Sequence, residues 1–196
     1  LDEARVLAAI DGRARATVEE IRTTIRQPSV SQTGEGVQAM ADWTQAYLAA
    51  LGADVRQVPG TRAPFVEGEL VSGPDRPTLL FYELYDVQPA AGQPGWTVDP
   101  FAAEIVEDAA GRARLIGRGA FNSKGPLVGA LAAIRAFHEA GVELPVNLRF
   151  LIEGEEEIGS PSLPGYIERN RNLLSGCDAA FIPYFGTTAK GDTILR

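Results

Sequence analysis

Apolar residues recur at helical spacing through the first fifty positions, and then the period changes. The stretch LDEARVLAAIDGRARATVEEIRTTIRQ predicts one amphipathic helix, and VQAMADWTQAYLAALG a second, stopped by Gly52. Short apolar or alternating runs bounded by Gly and Pro follow: ADVRQV, PFVEGELV and TLLFYELYDV predict strands. GRARLIGRGA predicts a hairpin-like segment, and Pro126 to Ala140 a long apolar helix ended by Gly141. VNLRFLIEGEE predicts a buried strand, SLPGYIERNRNLL a helix, and DAAFIPY a last strand before GDTILR. Strands alternating with helices predict an α/β fold, a layered mixed sheet with flanking helices. In such folds the side chains at the carboxyl ends of strands face the active crevice.

Composition narrows the function classes. At 196 residues and 45% hydrophobic content, the chain can bury one substantial core. The net charge of −8, with no Lys/Arg cluster, argues against nucleic acid as a partner. No apolar run approaches the roughly 18 to 20 residues that cross a bilayer, and the N-terminus is charged rather than signal-like, so the expected location is the cytoplasm. A single cysteine, Cys177, excludes an intrachain disulfide framework and a thiolate zinc site.

Three segments at predicted strand ends carry the candidate chemistry: ELYDVQP (83–89), GRGAFNSKG (117–125) and EGEEEIGS (153–160). Each alone reads as ordinary loop chemistry. Their order and spacing, with GWTVDPF between the first two, resemble the co-catalytic zinc peptidase family of carnosinase-like dipeptidases, aminoacylases, succinyl-diaminopimelate desuccinylase and glutamate carboxypeptidases. The family motifs are Gly-His-x-Asp-x-x-Pro, Gly-Arg-Gly-x-x-Asp-x-Lys-Gly and Glu-Glu-x-Gly-Ser. Two zinc ions about 3.5 to 4 Å apart need a bridging carboxylate, further carboxylate and histidine ligands, and a glutamate to deprotonate water.

Carried over by position, the resemblance implies that Asp86 is the residue that orients the first ligand, Glu156 the general base and Glu157 a retained ligand. Leu84 stands where the family has histidine, Asn122 where it has the bridging Asp, and Tyr184 where it has a later Asp. The first His and the later Asp serve the same metal ion. Strand alternation puts Leu84 and Asp86 on one face and Glu83 on the other, so Glu83 replaces the lost ligand only through a bulge. The lone His138 falls near the end of a predicted helix, where a solvated surface histidine is expected. Arg118, Lys124, Gly125, Pro126, Gly159 and Ser160 match the family framework, and Lys124 reads equally as a structural turn residue or a substrate contact.

These losses lead to the expectation of no cofactor, and of a metal-independent enzyme on a metallopeptidase scaffold that does acid/base chemistry: hydrolysis, acyl transfer, elimination or cyclisation. Asp86, Glu156 and Glu157 would be its catalytic residues, crowded so that one carboxyl stays protonated, with Asn122, Tyr184 and Arg118 as substrate or oxyanion contacts. Two alternatives stand beside it: a noncatalytic relative that binds a ligand or partner, and a zinc dipeptidase or amidohydrolase with an altered site. The substrate class is a small amide- or carboxylate-bearing molecule. Residues 1–196 are expected to form the N-terminal part of the catalytic domain. An inserted lid that dimerises and the remainder of the catalytic domain would lie beyond Arg196, on the same protein or a complementary chain.

Overall fold

The computed structural model describes residues 1–187 and 193–195. The two N-terminal helices form where the apolar spacing places them, α1 at Glu3–Arg26 and α2 at Val37–Ala50. The Asp2 side chain caps α1 by accepting from the Arg5 amide at 3.2 Å, satisfying one of the free N–H groups of the first turn. Three strands follow, β1 (Asp54–Val58), β2 (Phe65–Leu70) and β3 (Thr78–Leu84). A small antiparallel hairpin comes next, β4 (Glu104–Glu107) with β5 (Ala113–Ile116). Then come α3 (Lys124–Ala140), β6 (Asn147–Glu153), a single 3₁₀ turn at Glu156–Ile158, α4 (Leu163–Arg169), α5 (Arg171–Leu174) and β7 (Ala179–Phe181). Last, β8 (Phe185–Thr187) pairs antiparallel with β9 (Thr193–Leu195).

Five strands build one mixed sheet in the order β1-β2-β6-β3-β7, antiparallel from β1 to β6 and parallel from β6 to β7. Residues of alternate parity define its two faces. Phe81, Phe150 and Ile152 enter the larger core with Leu48 and Met40 of α2 and Leu127 of α3. Phe65 and Leu151 pack on the other face against Tyr166 of α4. The connection from β3 through α3 to its parallel neighbour β6 brings the start of α3 to the carboxyl edge of the sheet, which is where the three motifs meet.

Three expectations need correction. SLPGYIERNRNLL is two short helices broken at Asn170, whose backbone leaves the helical region (φ −114, ψ 21). The strand in DAAFIPY is only Ala179–Phe181, because Pro183 cannot extend the ladder. The buried strand of VNLRFLIEGEE ends at Glu153. Gly154 then turns the chain at a spot where a Cβ would lie 2.3 Å from the buried Tyr85 ring, so only glycine fits. Of the closing segment, Lys190, Gly191, Asp192 and Arg196 lie outside the described residues.

Candidate active site

The first motif starts on β3 and continues just past it. Tyr85 donates its amide to Glu153 O at 2.8 Å, and Val87 donates to Ser29 O at 3.0 Å, so the chain stays extended and buried after the strand ends. Tyr85 joins Phe81 in the larger core, which places Glu83 on that face and Leu84 on the opposite one. Leu84 is buried and in register with Glu153.

Asp86 is fully buried and accepts hydrogen bonds from the Glu156 amide at 3.3 Å and the Glu157 amide at 3.0 Å. It therefore caps the 3₁₀ turn that carries both glutamates. Burial pushes its carboxyl up to about 6, opposed first by the Ser31 side chain and then by the Glu157 amide, and the Glu157 charge adds to the rise. Glu156 projects from the same turn with its side chain exposed, and its proton affinity is raised by partial burial and then by Glu157. Gln88 completes the turn's attachment, donating to Glu157 O at 2.6 Å and to Glu157 Oε2 at 2.9 Å.

Around this turn lie carboxylates that motif matching passed over. Glu83 is 2% exposed, accepts from the Leu84 amide at 3.2 Å, and leaves Oε2 buried without a partner. Burial pushes it up to about 8, opposed by the Leu84 amide, and the Glu156 charge adds to the rise. Glu153, also buried, accepts from the Tyr82 hydroxyl and from Ser160 Oγ at 3.0 Å. The signal was available in sequence: a glutamate inside an otherwise apolar strand is a buried carboxyl that must be paired or protonated. Glu155 is paired. Its carboxylate accepts the amides of Arg62 at 2.5 Å, Ala63 at 3.0 Å and Ser162 at 3.1 Å, tying the β1–β2 loop to the third motif. These bonds outweigh burial and hold its carboxyl below the usual range. Glu155→Ala is expected to destabilise the fold by about 2 to 4 kcal/mol, because it strands buried donors. Thermal unfolding checks this, and since the folded value is depressed, the loss is largest above the ordinary glutamate range and shrinks as pH falls through it.

The other singled-out residues have defined places. Lys124 is fully buried, and its Nζ donates to Thr24 O at 2.8 Å and to Gln27 O, so it pins the end of α1 to the start of α3. Burial pushes it down to about 7, opposed by the Asp86 charge. Arg118 stacks over Trp96 at 5.0 Å and donates to Gln93 Oε1 at 2.5 Å and Pro89 O at 3.2 Å. It holds the GQPGW loop rather than any of the three motif carboxylates. Asn122 is half-buried in the second motif's loop, Tyr184 is exposed beyond β7, and His138 is exposed at the far end of α3. The structure thus brings Asp86, Glu156 and Glu157 together and leaves Arg118 on the neighbouring loop.

Known proteins of similar sequence and shape share this arrangement's fold. The chain is 34% identical over 176 residues to the Cys-Gly metallodipeptidase dug1 of Schizosaccharomyces pombe, covering 83% of this chain and 36% of that protein. It is 40% identical over 116 residues to the human Beta-Ala-His dipeptidase, covering 59% of this chain and 22% of that protein. Among solved structures, the di-peptidase Dug1p of Saccharomyces cerevisiae matches with a TM-score of 0.83 at 30% identity, over 95% of this chain and 42% of that one. Human carnosine dipeptidase 1 matches with a TM-score of 0.82 at 32% identity, over 91% and 40% of the two chains. The chain therefore spans well under half the length of these relatives.

The expectation of no cofactor is overturned by these relatives, which include metallodipeptidases by name. Its error was to treat three substituted positions as a whole site, when the segment covers 36% of the relative's length. The residues present nevertheless do not fit a two-zinc centre. Among the described residues no three His, Cys, Asp or Glu side chains come together as a metal-holding group. Leu84 offers no donor, and Asn122 offers a neutral amide that cannot compensate two cations. Residues 80–193, more than half of the chain, match the model of peptidase family M20/M25/M40, and the chain belongs to that family.

Proposed function

We propose that the protein hydrolyses dipeptides or closely related small amides, and that its metal site departs from the two-zinc pattern. This segment would be the N-terminal part of the catalytic domain. The observation that carries the reading is the Asp86 carboxylate holding the Glu156 and Glu157 amides, which presents an exposed Glu156 carboxylate beside Glu157 at the carboxyl edge of the sheet. Glu156 is the general base that takes a proton from the attacking water and passes it to the leaving amine; its raised proton affinity suits both steps. The Asn122 amide and the Tyr184 phenol are the donors assigned to the developing oxyanion, and Arg118 holds the GQPGW loop through Trp96, Gln93 and Pro89.

The metal assignment follows from which positions changed. Leu84 and Tyr184 fall at the two positions that, by resemblance, serve one and the same ion, while Glu157 remains for the other. One cation per chain, completed by residues outside 1–196, is the stoichiometry this leaves. The dipeptidase names of the relatives suggest the probes. Full-length protein is expected to hydrolyse Cys-Gly or β-Ala-His, with the free amino acids read by chromatography. Binding of either dipeptide without hydrolysis would replace this reading with that of a noncatalytic binder.

A further inference from the structure

Gln88 stands in none of the roles assigned above, yet it makes the only side-chain bridge among the described residues that meets both the backbone and the carboxylate of Glu157. Its two contacts are both acceptors, so the nitrogen of the amide faces them on chemical grounds alone. The main-chain oxygen and Oε2 of Glu157 are both negative ends of dipoles or charges, and bringing them to one point is unfavourable without a donor between them. Gln88 Nε2 supplies its two hydrogens there, at 2.6 and 2.9 Å. Two residues earlier, Asp86 accepts the Glu157 amide at 3.0 Å. The extended Asp86-Val87-Gln88 segment thus grips the N–H, the carbonyl and the carboxylate of one glutamate.

The grip is not there to stabilise the core. Gln88 is exposed, and an exposed amide-to-carboxylate contact contributes little to folding. What it does fix is the direction in which the Glu157 carboxylate points, and with it the 3₁₀ turn that bears Glu156. We propose that Gln88 is a positioning residue that acts through Glu157 and sets the orientation of the Glu156–Glu157 pair. This rests on the hydrolytic reading above for its effect on rate, though not for its effect on the turn.

The test compares three variants of the full-length protein. Gln88→Leu removes the donor, Gln88→Glu adds a like charge, and Gln88→Lys keeps a donor. A misplaced catalytic carboxylate costs rate far more than affinity, so Leu and Glu are expected to lower kcat on the dipeptide roughly 10- to 100-fold with KM moved less than about twofold. Gln88→Lys, whose ammonium keeps a donor but competes with a cation for Glu157, is expected to fall between the parent and Gln88→Leu in kcat, and all three to melt within about 2 °C of the parent. Amide hydrogen exchange of residues 154–161 is expected to rise about fivefold or more in Gln88→Leu and to stay unchanged in Gln88→Lys. Equal impairment of Lys and Leu, a change in KM alone, or no change in any variant overturns the proposal. If the parent hydrolyses no dipeptide, the hydrolytic reading falls, and the exchange measurement alone decides: unchanged exchange in Gln88→Leu overturns the clip.

Discussion

Glu156→Gln is expected to lower kcat/KM for the proposed dipeptide hydrolysis by about 10²- to 10⁴-fold, the range that loss of a positioned general base produces. The variant keeps its fold, because Glu156 is exposed and its contribution to the site's architecture is its amide, which the substitution leaves on Asp86. KM changes little, since a base that acts on water contributes to the transition state rather than to the bound substrate. Steady-state kinetics with a melting curve check this. A variant with more than a tenth of the parent's rate, at an unchanged melting temperature, contradicts the role given to Glu156.

The second large effect is on stability against pH, and it comes from Glu83. Its folded value of about 8 lies well above the ordinary glutamate value of 4.5, so the folded protein holds a proton that the unfolded chain releases. The sign follows: this contribution is fully present below pH 4.5 and is lost as pH rises toward 8. The size is on the order of 4 to 5 kcal/mol across that window. Asp86, raised to about 6, acts in the same sense at lower pH, while Lys124, lowered to about 7, acts in the opposite sense above neutrality. Both are common to the parent and to Glu83→Gln, so the difference between the two proteins isolates Glu83. Glu83→Gln is expected to gain on the parent steadily between pH 5 and pH 8 in thermal unfolding. A constant offset between the two proteins across that range would show that Glu83 is ionised in the folded state.

Much of the fold was legible because its elements obey simple periods. The helices α1, α2 and α3 and the strands β1, β2, β3 and β6 lie where apolar spacing and glycine stops put them. The strand β4 escaped notice because its residues Glu-Ile-Val-Glu sit on a solvated hairpin with almost no buried side chain. The break between α4 and α5 was hidden by a sequence with no Gly or Pro at Asn170.

The candidate site was legible where it depends on backbone position. Asp86, Glu156 and Glu157 are joined because one motif ends β3 and the other follows β6, its parallel neighbour. Glu83, Glu153 and Gln88 were harder to read, because their importance lies in which side chains reach which partners across strands. The expectation of no cofactor failed for a different reason. Ligand identity at three positions was read as if it described a whole centre, in a chain that spans 36% of the length of a metallodipeptidase relative.

The most direct measurement is a zinc titration of hydrolysis, using full-length protein first treated exhaustively with chelator. Chelation is expected to abolish hydrolysis, and one equivalent of zinc per chain to restore it fully. Restoration only at two equivalents, or hydrolysis untouched by the chelator, would overturn the one-cation site.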